Sequence, residues 1–558
     1  MVSQLVECVP NFSEGRDKAT IDAIARAITG VSGTTLLDVD PGAATHRTVV
    51  TFVGDPDAVV EAAFAGIAKA AELIDMRTQH GAHARQGATD VCPFVPVGGI
   101  SVEECVELAR RLAERVGREL SIPVYLYEAA ATRPERRSLA EIRVGEYEAL
   151  EEKSRKPEWA PDFGPATFNA KAGATVIGVR PFLVAYNINL NTRNTKIARD
   201  IGLTIREKGR AKRDAQGKRL RDSEGGLVRV PGLPHCRATG WYIEEYKRAQ
   251  VTMNLTDYTV TGIHTAFDRV EELAQVQGAR VTGSEVVGLV PKESLLDAGR
   301  YFLDKQGLSV GIPEREILEA AVLSLGLSEV APFVLEEKII EYRVAAPRPL
   351  VSMTVDAFTD ELSSDSPAPG GGSVAALAGS LGAGLSAMVA GLTFGKKGYL
   401  EHNELMEALG VEAQGLKVEL LAAIDDDTAA FNEVMACFAL PKKTDEEKAA
   451  RGVAIQAANK KATQIPLSVL EHCPRLMALA SEVADKGNTN SLSDAGVAGL
   501  MARAAAYGAY YNVLINLPGI DDLDWALGIR KRAEDAIQET ESLAVALQQS
   551  TLVRLSGE

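Results

Sequence analysis

A segment interrupted by glycines, His80–Val97 (HGAHARQGATDVCPFVPV), holds two of the seven histidines in the chain. It follows an apolar helical pattern that ends near Met76 and leads into a short apolar strand, Val91–Val97. Imidazole titrates near neutrality, so His80 or His83 can carry a proton between a nucleophile and a leaving nitrogen. A histidine that braces the loop through backbone hydrogen bonds is the alternative. The pattern alone favours neither role and neither histidine.

Four charged residues near this segment in the sequence can support the same chemistry. They are Asp38, Asp40, Arg47 and Arg85. An aspartate can orient a histidine, and an arginine can hold a substrate carboxylate through two parallel hydrogen bonds. Taken one at a time, each of the four is better explained by a structural role.

Three consecutive glycines, Gly370, Gly371 and Gly372, lie in the segment Ser366–Ala376 (SPAPGGGSVAA) directly before a helical pattern. Backbone N–H groups at such a helix start can converge on an anion. A tight turn that lets helices pack closely explains the same residues equally well. A phosphate-binding kinase loop is not indicated, because neither a lysine nor a magnesium-binding carboxylate accompanies these glycines.

The helical pattern Leu420–Val434 (LLAAIDDDTAAFNEV) places a carboxylate on its inward stripe. That stripe consists of Leu420, Ile424, Asp427, Phe431 and Val434. Burial raises the pKa of a carboxyl group and makes it a proton donor or acceptor near neutral pH. Asp425 lies on the adjoining face with Leu421 and Thr428. A buried aspartate satisfied by backbone or arginine is the competing interpretation.

Two kinds of architecture must position these residues. The N-terminal part mixes strand patterns with helices, which predicts α/β units. The strands are predicted at Thr34–Asp40, Arg47–Gly54, Ile122–Ala130, Phe182–Leu190 and Ser284–Pro291, and helices are predicted after an Asp55 cap and from His264. We interpret the basic insert Arg206–Arg221 as a solvated loop. Beyond about residue 355, strand patterns almost vanish and helical patterns run to the end, for example Ala533, Ile537, Thr540, Ala544 and Leu547.

We therefore predict an α/β subdomain at 1–180, a second at 181–335, a linker at 336–354 and an all-helical domain at 355–558. Pro347 and Pro349 disfavour helix within the linker. No convincing internal repeat is found in the sequence.

Composition narrows the class of protein. A net charge of −16 over 558 residues argues against nucleic-acid binding and favours a cytoplasmic protein. The six cysteines are scattered, without zinc-site spacing or a secretory leader, so we expect reduced thiols and no metal. The uncharged stretch Val374–Phe394 is long enough to span a bilayer, but it consists mostly of alanine and glycine. We expect it to be buried in a helical domain or oligomer core rather than inserted in a membrane.

Ten motifs together resemble one bifunctional family, glutamate formimidoyltransferase–formimidoyltetrahydrofolate cyclodeaminase. LVECVPNFSEGR, LLDVD, HRTVVTFVG, GAHARQGATDVCPFVPV, WAPDFGP and NINLNT are similar to the transferase half in order and spacing. APGGGSVAA, IDDDTAAF, LPKKTDEEK and YGAYYNVLINL resemble the cyclodeaminase half. The resemblance covers the whole chain. It departs at the longer basic insert after Arg206 and at His46, where the family favours asparagine.

For the first half, the resemblance implies two α/β subdomains of split βαβ, ferredoxin-like type. It implies transfer of the formimino group of N-formimino-L-glutamate to N5 of tetrahydrofolate, a step of histidine breakdown. His83 matches the catalytic histidine of the family, and Asp40 and Arg47 are candidates for the substrate pocket. The folate-binding loop maps onto Gly164, Pro165, Ala166, Thr167, Phe168, Asn169, Ala170, Lys171, Ala172 and Gly173.

For the second half, the resemblance implies ring closure to 5,10-methenyltetrahydrofolate with loss of ammonia and without a metal or redox cofactor. Asp427 is expected as the catalytic carboxylate, with Asp425 as the second candidate and the three glycines in the binding site. A polyglutamylated folate can stay tethered through basic residues such as Lys442 and Lys443. Relatives imply a homo-oligomer assembled through the helical domain.

Two alternatives remain open. The donor can be N-formylglutamate, because an amide differs from an amidine by one nitrogen. The chain can also be a folate-binding scaffold without catalysis, although both candidate catalytic residues are present.

Overall fold

A computed structural model describes residues 4–43, 46–81, 84–214, 216–223, 225–345 and 347–556. The chain divides into two compact units, which are described separately below. The first comprises Met1–Ala298 and Leu325–Ala345, and the second comprises Gly299–Ser324 and Ala346–Glu558. Residues 299–324 thus belong to the helical unit rather than to the α/β part.

The strands are β1 (Leu5–Cys8), β2 (Asn11–Phe12), β3 (Thr34–Gly42), β4 (Arg47–Gly54), β5 (Thr89–Gly98), β6 (Val124–Glu128), β7 (Thr175–Val179), β8 (Val184–Leu190), β9 (Arg210–Ala211), β10 (Arg229–Val230), β11 (Cys236–Ile243), β12 (Arg248–Leu255) and β13 (Val281–Val287). The helices are α1 (Lys18–Thr29), α2 (Pro56–Leu73), α3 (Val102–Glu119), α4 (Leu139–Ile142), α5 (Leu150–Lys153), α6 (Thr195–Ile205), α7 (Ile263–Val276), α8 (Lys292–Lys305), α9 (Glu314–Leu325), α10 (Leu335–Lys338), α11 (Ile340–Val344), α12 (Val355–Leu362), α13 (Gly371–Thr393), α14 (Asn403–Phe438), α15 (Asp445–Lys486), α16 (Leu492–Asn516) and α17 (Leu523–Ser556).

The first sheet is mixed. Strands β1 and β2 both pair with β4 and β5, so two parts of the N-terminal segment fill one position in the sheet. Strand β3 extends the sheet beyond β4, whereas β7 and then β6 continue it in parallel beyond β5. Side chains of α1, α2 and α3 bury one face with those of the central strands, and a smaller cluster around Tyr125, Tyr127 and Ile142 covers part of the other face.

The second sheet is antiparallel and has the order β11-β12-β8-β13. Helix α6 connects β8 to the β11–β12 hairpin, and α7 connects that hairpin to β13. Alternation along β8 buries Tyr186, Ile188 and Leu190. The predicted strands and the helix starting near His264 are confirmed as elements, and Asp55 caps α2 by accepting the N–H of Ala58, as predicted.

The basic insert is largely exposed, as predicted, but it is more ordered than an irregular loop. Short strands β9 and β10 pair, and between them the same pattern of hydrogen bonds occurs twice. In the first copy Arg213 donates to the carbonyl of Gly217, and in the second Arg221 donates to the carbonyl of Gly225. The aspartate that follows each arginine accepts backbone N–H groups of its turn. The prediction of no internal repeat is therefore wrong for this insert, because the repeat is too short to stand out by composition.

The linker prediction is also partly wrong. Helices α10 and α11 occupy 335–344, and Ile339 and Ile340 are fully buried. Burial of this apolar pair stabilises the two helices. Pro347 and Pro349 do not interrupt them, because both prolines lie beyond the end of α11. Leu350 is buried as well, in the core of the helical unit.

The second unit is a helical bundle around α13, which packs against α14, α15 and α16. Among the described residues, α13 is a helix long and apolar enough to cross a membrane, and 56% of its most apolar window is buried within the protein. Small residues permit the close packing, because a side chain on Gly382 would come within 3.0 Å of the carbonyl oxygen of Ala498 on α16. The predicted all-helical architecture is confirmed.

We expect Gly382→Val to destabilise the helical unit by about 1–3 kcal/mol, because its methyl groups meet the backbone of α16. Gly415→Val, at an exposed position of α14, is the matched control, since nothing lies within 4 Å of that position. Urea unfolding followed by circular dichroism measures both changes. Equal midpoints for the two variants would contradict close packing at Gly382.

Glu7 is a buried carboxylic acid in β1, between Val53 of β4 and Val95 of β5. Burial raises the pKa of Glu7 to about 7, and Arg180 opposes this shift. Because the folded-state pKa exceeds the ordinary value of 4.5, the folded protein binds the proton more tightly than the unfolded chain. Stability attributable to Glu7 is therefore complete below about pH 4.5 and is lost as the pH rises through 7.

Glu7→Gln should remove this pH dependence. The gain in stability of the variant over wild type should be larger at pH 8 than at pH 5, by up to about 3 kcal/mol. Unfolding midpoints at the two pH values measure it, with exposed Glu103→Gln as control. A difference that is the same at both pH values would show that Glu7 titrates normally.

Candidate functional site

The loop between α2 and β5 is closed by one arginine. Arg85 donates from Nε to Oε1 of Gln79 at 2.9 Å and from Nη2 to the main-chain oxygen of Gln79 at 3.1 Å. His80 lies within this closed loop and is exposed. His83, the predicted catalytic residue, falls in the same loop in sequence but lies outside the described residues.

Arg85 also joins the loop to a second segment. Both oxygens of Glu148 accept from it, at 2.9 and 2.7 Å, and Oε2 of Glu146 accepts at 3.1 Å. These bonds hold the pKa of Glu148 below its ordinary value. The guanidinium is buried, with 8% of the side chain exposed, so it serves as a fixed anchor rather than as a mobile substrate ligand. The predicted alternative of a structural role for Arg85 therefore fits its geometry.

His46 braces the loop from the other side. Its Nδ1 lies 2.9 Å from the main-chain oxygen of His80, and its Nε2 lies 3.1 Å from Oε1 of Glu14. Both partners are acceptors, so both contacts are hydrogen bonds only when the ring carries two protons. Partial burial raises the pKa of Glu14, but backbone N–H donors of Asp17 and Arg16 and nearby His46 outweigh it and keep that pKa low. His46 has a backbone φ of +52°, a conformation that asparagine also tolerates.

The predicted folate-binding loop, Gly164–Gly173, is hydrogen-bonded to the chain that follows His83. The N–H of Ala88 donates to the oxygen of Ala172, and the N–H of Ala174 donates to the oxygen of Gln86. Gly173 has φ of +70°, and a Cβ there would lie 2.2 Å from the oxygen of Gln86. The two segments approach each other this closely because position 173 has no side chain.

Tyr147 links the same two segments through its side chain and backbone. Its hydroxyl donates to the oxygen of Ala170 at 2.6 Å, and its ring packs on Phe168 at 5.6 Å between centroids. Its backbone N–H donates to the oxygen of Arg85 at 2.8 Å. A shallow cleft beside this contact is lined by residues of the predicted loop together with Pro123, Tyr125, Leu150, Ser154 and Pro161.

The two predicted pocket residues in the first sheet have different surroundings. Asp40 is exposed on β3. Arg47, on β4, is half-buried, and burial lowers its pKa against the attraction of Asp90. Asp90 is fully buried, forms an ion pair with Arg143 and accepts the N–H of Gln86 at 3.0 Å. Arg47 is thereby placed beside the base of the histidine loop.

In the helical unit, the predicted glycines and the predicted aspartate meet. Asp427 of α14 accepts from the backbone and hydroxyl of Ser373, the latter at 3.2 Å, at the start of α13. A Cβ on Gly372 would lie 2.1 Å from Oδ1 of Asp427, so only glycine fits there. Burial raises the pKa of Asp427, and the bonds from Ser373 offset part of the shift. Such a carboxyl group can hold a proton at a higher pH than an exposed aspartate does.

Asp425 has a different environment from Asp427. Its two oxygens accept the N–H groups of Leu350 at 2.9 Å and Val351 at 3.2 Å, which fixes the turn before α12. These bonds give Asp425 a structural task. The geometry therefore distinguishes the two aspartates and favours Asp427 for chemistry.

The structure does not bring Lys442 to this cluster. Lys442 is exposed in the turn between α14 and α15, and the helical rise from Asp427 to the end of α14 alone is about 16 Å. Residues that the sequence analysis did not assign to the site lie closer. The hydroxyl oxygens of Ser373 and Thr428 lie 3.2 Å apart, within hydrogen-bond distance. The side chain of Asn512 on α16 lies next to Gly371. Ser373 follows the glycines directly, so the motif itself was a usable signal.

Metal-binding geometry is not found among the residues that the structure describes, where no group of three or more histidine, cysteine, aspartate or glutamate side chains could hold an ion.

Three family models match successive parts of the chain. They are described as "Formiminotransferase domain, N-terminal subdomain" for residues 5–180, "Formiminotransferase domain" for 185–345 and "Formiminotransferase-cyclodeaminase" for 354–535. The two α/β subdomains and the helical unit thus define a chain that joins a formiminotransferase part to a cyclodeaminase-type part.

The chain belongs to the formimidoyltransferase-cyclodeaminase family. It is 43% identical over 546 residues to formimidoyltransferase-cyclodeaminase of Rattus norvegicus, which covers 97% of this chain and 98% of that relative. Glutamate formimidoyltransferase of Thermoplasma acidophilum is 45% identical and covers 57% of this chain and 98% of its own length. Methenyltetrahydrofolate cyclohydrolase of Methylorubrum extorquens is 45% identical over 190 residues, 34% of this chain and 88% of its own.

We expect Asp425→Ala to destabilise the helical unit by about 1–3 kcal/mol, because two backbone N–H groups lose their acceptor. The matched control is Asp426→Ala, which removes an exposed neighbour on the same helix. Thermal unfolding of the full chain compares the two. A loss of activity without any loss of stability in Asp425→Ala would argue instead for a chemical role.

Proposed function

We propose that the chain is a bifunctional folate enzyme that transfers the formimino group from N-formimino-L-glutamate to N5 of tetrahydrofolate and then closes the ring. The transferase activity rests on one observation above all, the hydrogen-bonded contact between segment 86–88 and the loop Gly164–Gly173. This contact supports the proposal because it joins the predicted folate-binding loop to the chain that follows His83 in sequence. The names of the full-length relatives support both activities.

In the first step, N5 of tetrahydrofolate attacks the formimino carbon and a tetrahedral intermediate forms. His83 takes the proton that N5 loses and returns it to the glutamate nitrogen, which then leaves as the free amine. Tyr147 and Arg85 act indirectly, because they hold the folate loop and the histidine loop in register. Arg47 is a candidate for binding a substrate carboxylate, and exposed Asp40 is the weaker candidate.

In the second step, N10 attacks the same carbon, the carbon–nitrogen bond to the amino group breaks, and ammonia departs. Asp427 takes up the proton that N10 loses and returns it to the amino nitrogen, which then leaves as neutral ammonia. Its environment supports the role, because burial raises its pKa while the Ser373 hydroxyl fixes the carboxyl orientation. The product is 5,10-methenyltetrahydrofolate, and Gly370–Gly372 would border the bound pterin.

We also propose that copies associate through the helical unit and that the protein acts in the cytoplasm. Apolar side chains with about half or more of their surface exposed lie along α13 and α16. They include Leu381, Leu392, Leu500, Tyr511 and Ile515. Burial of such a face between copies removes it from water without a membrane.

A polyglutamylated folate chain, held by Lys442 and Lys443, would have to extend from Asp427 to the end of α14. The proposal therefore requires several glutamate residues on the folate. For the second α/β subdomain we infer a ferredoxin-like topology, supported by its βαββαβ element order and antiparallel pairing. The first subdomain contains additional strands beyond this element order.

Three alternative functions require separate tests. N-formylglutamate remains an alternative donor, and a non-catalytic scaffold would bind folate without either reaction. The similarity to methenyltetrahydrofolate cyclohydrolase favours a second candidate for the helical unit, hydrolysis of the methenyl product by water.

Tetrahydrofolate mixed with N-formimino-L-glutamate should yield methenyl absorbance and free ammonia together. His83→Ala should lower transfer at least about 100-fold and leave ring closure of supplied 5-formiminotetrahydrofolate intact. Asp427→Asn should do the reverse, with Asp426→Asn as the matched control. Loss of both activities from either change in a folded oligomer would contradict independent sites.

The alternatives give different signals in the same assay. Formylated folate from N-formylglutamate, without product from the formimino donor, would replace the donor assignment. Decay of added methenyltetrahydrofolate, dependent on Asp427, would identify hydrolysis. Binding of folate without any product would leave the scaffold function.

A further inference from the structure

A polar depression of about 390 Å³ borders the histidine loop. Its walls are His80, Gly81, Arg85, Gly145, Glu146 and Glu148. Gly81 immediately precedes the Ala82–His83 pair in sequence. The depression is thus formed on one side by the loop of the proposed catalytic histidine and on the other by residues 145–148.

The charge of this depression is negative in spite of its arginine. Arg85 is buried, and its guanidinium donates hydrogen bonds to Gln79, to both oxygens of Glu148 and to one oxygen of Glu146. The side chain of Glu148 is 58% exposed and that of Glu146 is 41% exposed, so both carboxylates face the open space. One guanidinium against two carboxylates leaves an excess negative charge.

Tyr147, between the two glutamates, fixes the depression relative to the folate-binding loop. Its hydroxyl bond to Ala170 and its ring contact with Phe168 hold that loop, while its neighbours face the depression. Glu146 is held at φ of +56°, which turns consecutive side chains of this segment toward different partners. Three successive residues therefore position the acceptor site beside the acidic depression.

We propose that Glu146, supported by the Arg85–Glu148 pair, recognises the cationic amidinium of the N-formimino group and so selects the formimino donor over the formyl donor. This inference rests on the proposed function. An N-formimino group is an amidine and carries a positive charge at neutral pH, whereas an N-formyl group is a neutral amide of almost the same shape. A carboxylate binds a planar amidinium through charge-assisted hydrogen bonds, as it binds a guanidinium.

The arrangement also explains why Arg85 is buried. If its guanidinium were exposed in the depression, it would repel a cationic donor. Its burial beneath the two carboxylates keeps it as the structural anchor of Glu148. Glu146 accepts from Arg85 through one oxygen only, so of the two carboxylates it is the one better placed to bind a ligand cation.

The test compares one charged and one neutral ligand in the full chain. Glu146→Gln should raise the KM for N-formimino-L-glutamate about tenfold to a hundredfold, the range expected for a lost charge-assisted bond. The inhibition constant of N-formyl-L-glutamate, which keeps both carboxylates but lacks the cation, should change less than about twofold. The KM for tetrahydrofolate should also stay unchanged. The matched control is Glu151→Gln, because Glu151 is an exposed glutamate of the neighbouring helix α5 that forms an ion pair with Arg155.

Equal changes for the charged and the neutral ligand, or no change for either, would overturn the proposal. If Glu146→Gln does not fold, the wild-type chain decides, because N-formyl-L-glutamate must then bind at least about tenfold more weakly than the formimino donor. Similar affinities of the two would overturn the inference. Absence of any transfer by wild type would instead overturn the proposed function, so the two failures are distinguishable.

Discussion

The buried guanidinium of Arg85 is the interaction on which the first site depends. It closes the histidine loop onto Gln79 and ties that loop to Glu146 and Glu148. A buried cation cannot lose its partners without a large desolvation cost, so this junction resists rearrangement. Tyr147 then carries the constraint from the junction to the folate-binding loop. The loop geometry is therefore set by one ion cluster rather than by regular secondary structure.

Two carboxyl groups, one in each unit, have pKa values shifted in opposite directions. Arg85 lowers the pKa of Glu148, which keeps that group ionised for binding and anchoring. Burial raises the pKa of Asp427, and its hydrogen bonds from Ser373 are too few to reverse the shift. When the surroundings of two carboxyl groups shift their pKa values in opposite directions, the group with the lower pKa is suited to electrostatic stabilisation. The group with the higher pKa is suited to proton transfer. The contrast follows from the neighbours of each group, since the side chains are chemically alike.

Sequence patterns predicted what depends on local periodicity. The Asp55 cap and the inward position of Asp427 follow from spacing within one helix, and both were accessible without coordinates. The task of Asp425 was not, because its partners Leu350 and Val351 come from a distant part of the chain. Tyr147 likewise belongs to no pattern, and its importance depends on tertiary contacts alone. His83 stays a prediction from the resemblance.

The glycines before α13 illustrate how a local motif acquires meaning from a distant residue. Sequence left two explanations open, an anion site at a helix start or a turn for close packing. The geometry combines them, because the carboxyl group of Asp427 lies at the helix start and closely approaches Gly372. The positive helix start favours the ionised form of that group while burial favours the protonated form. A side chain at Gly372 would separate Asp427 from the helix start, so the glycine keeps both influences acting on the same carboxyl group.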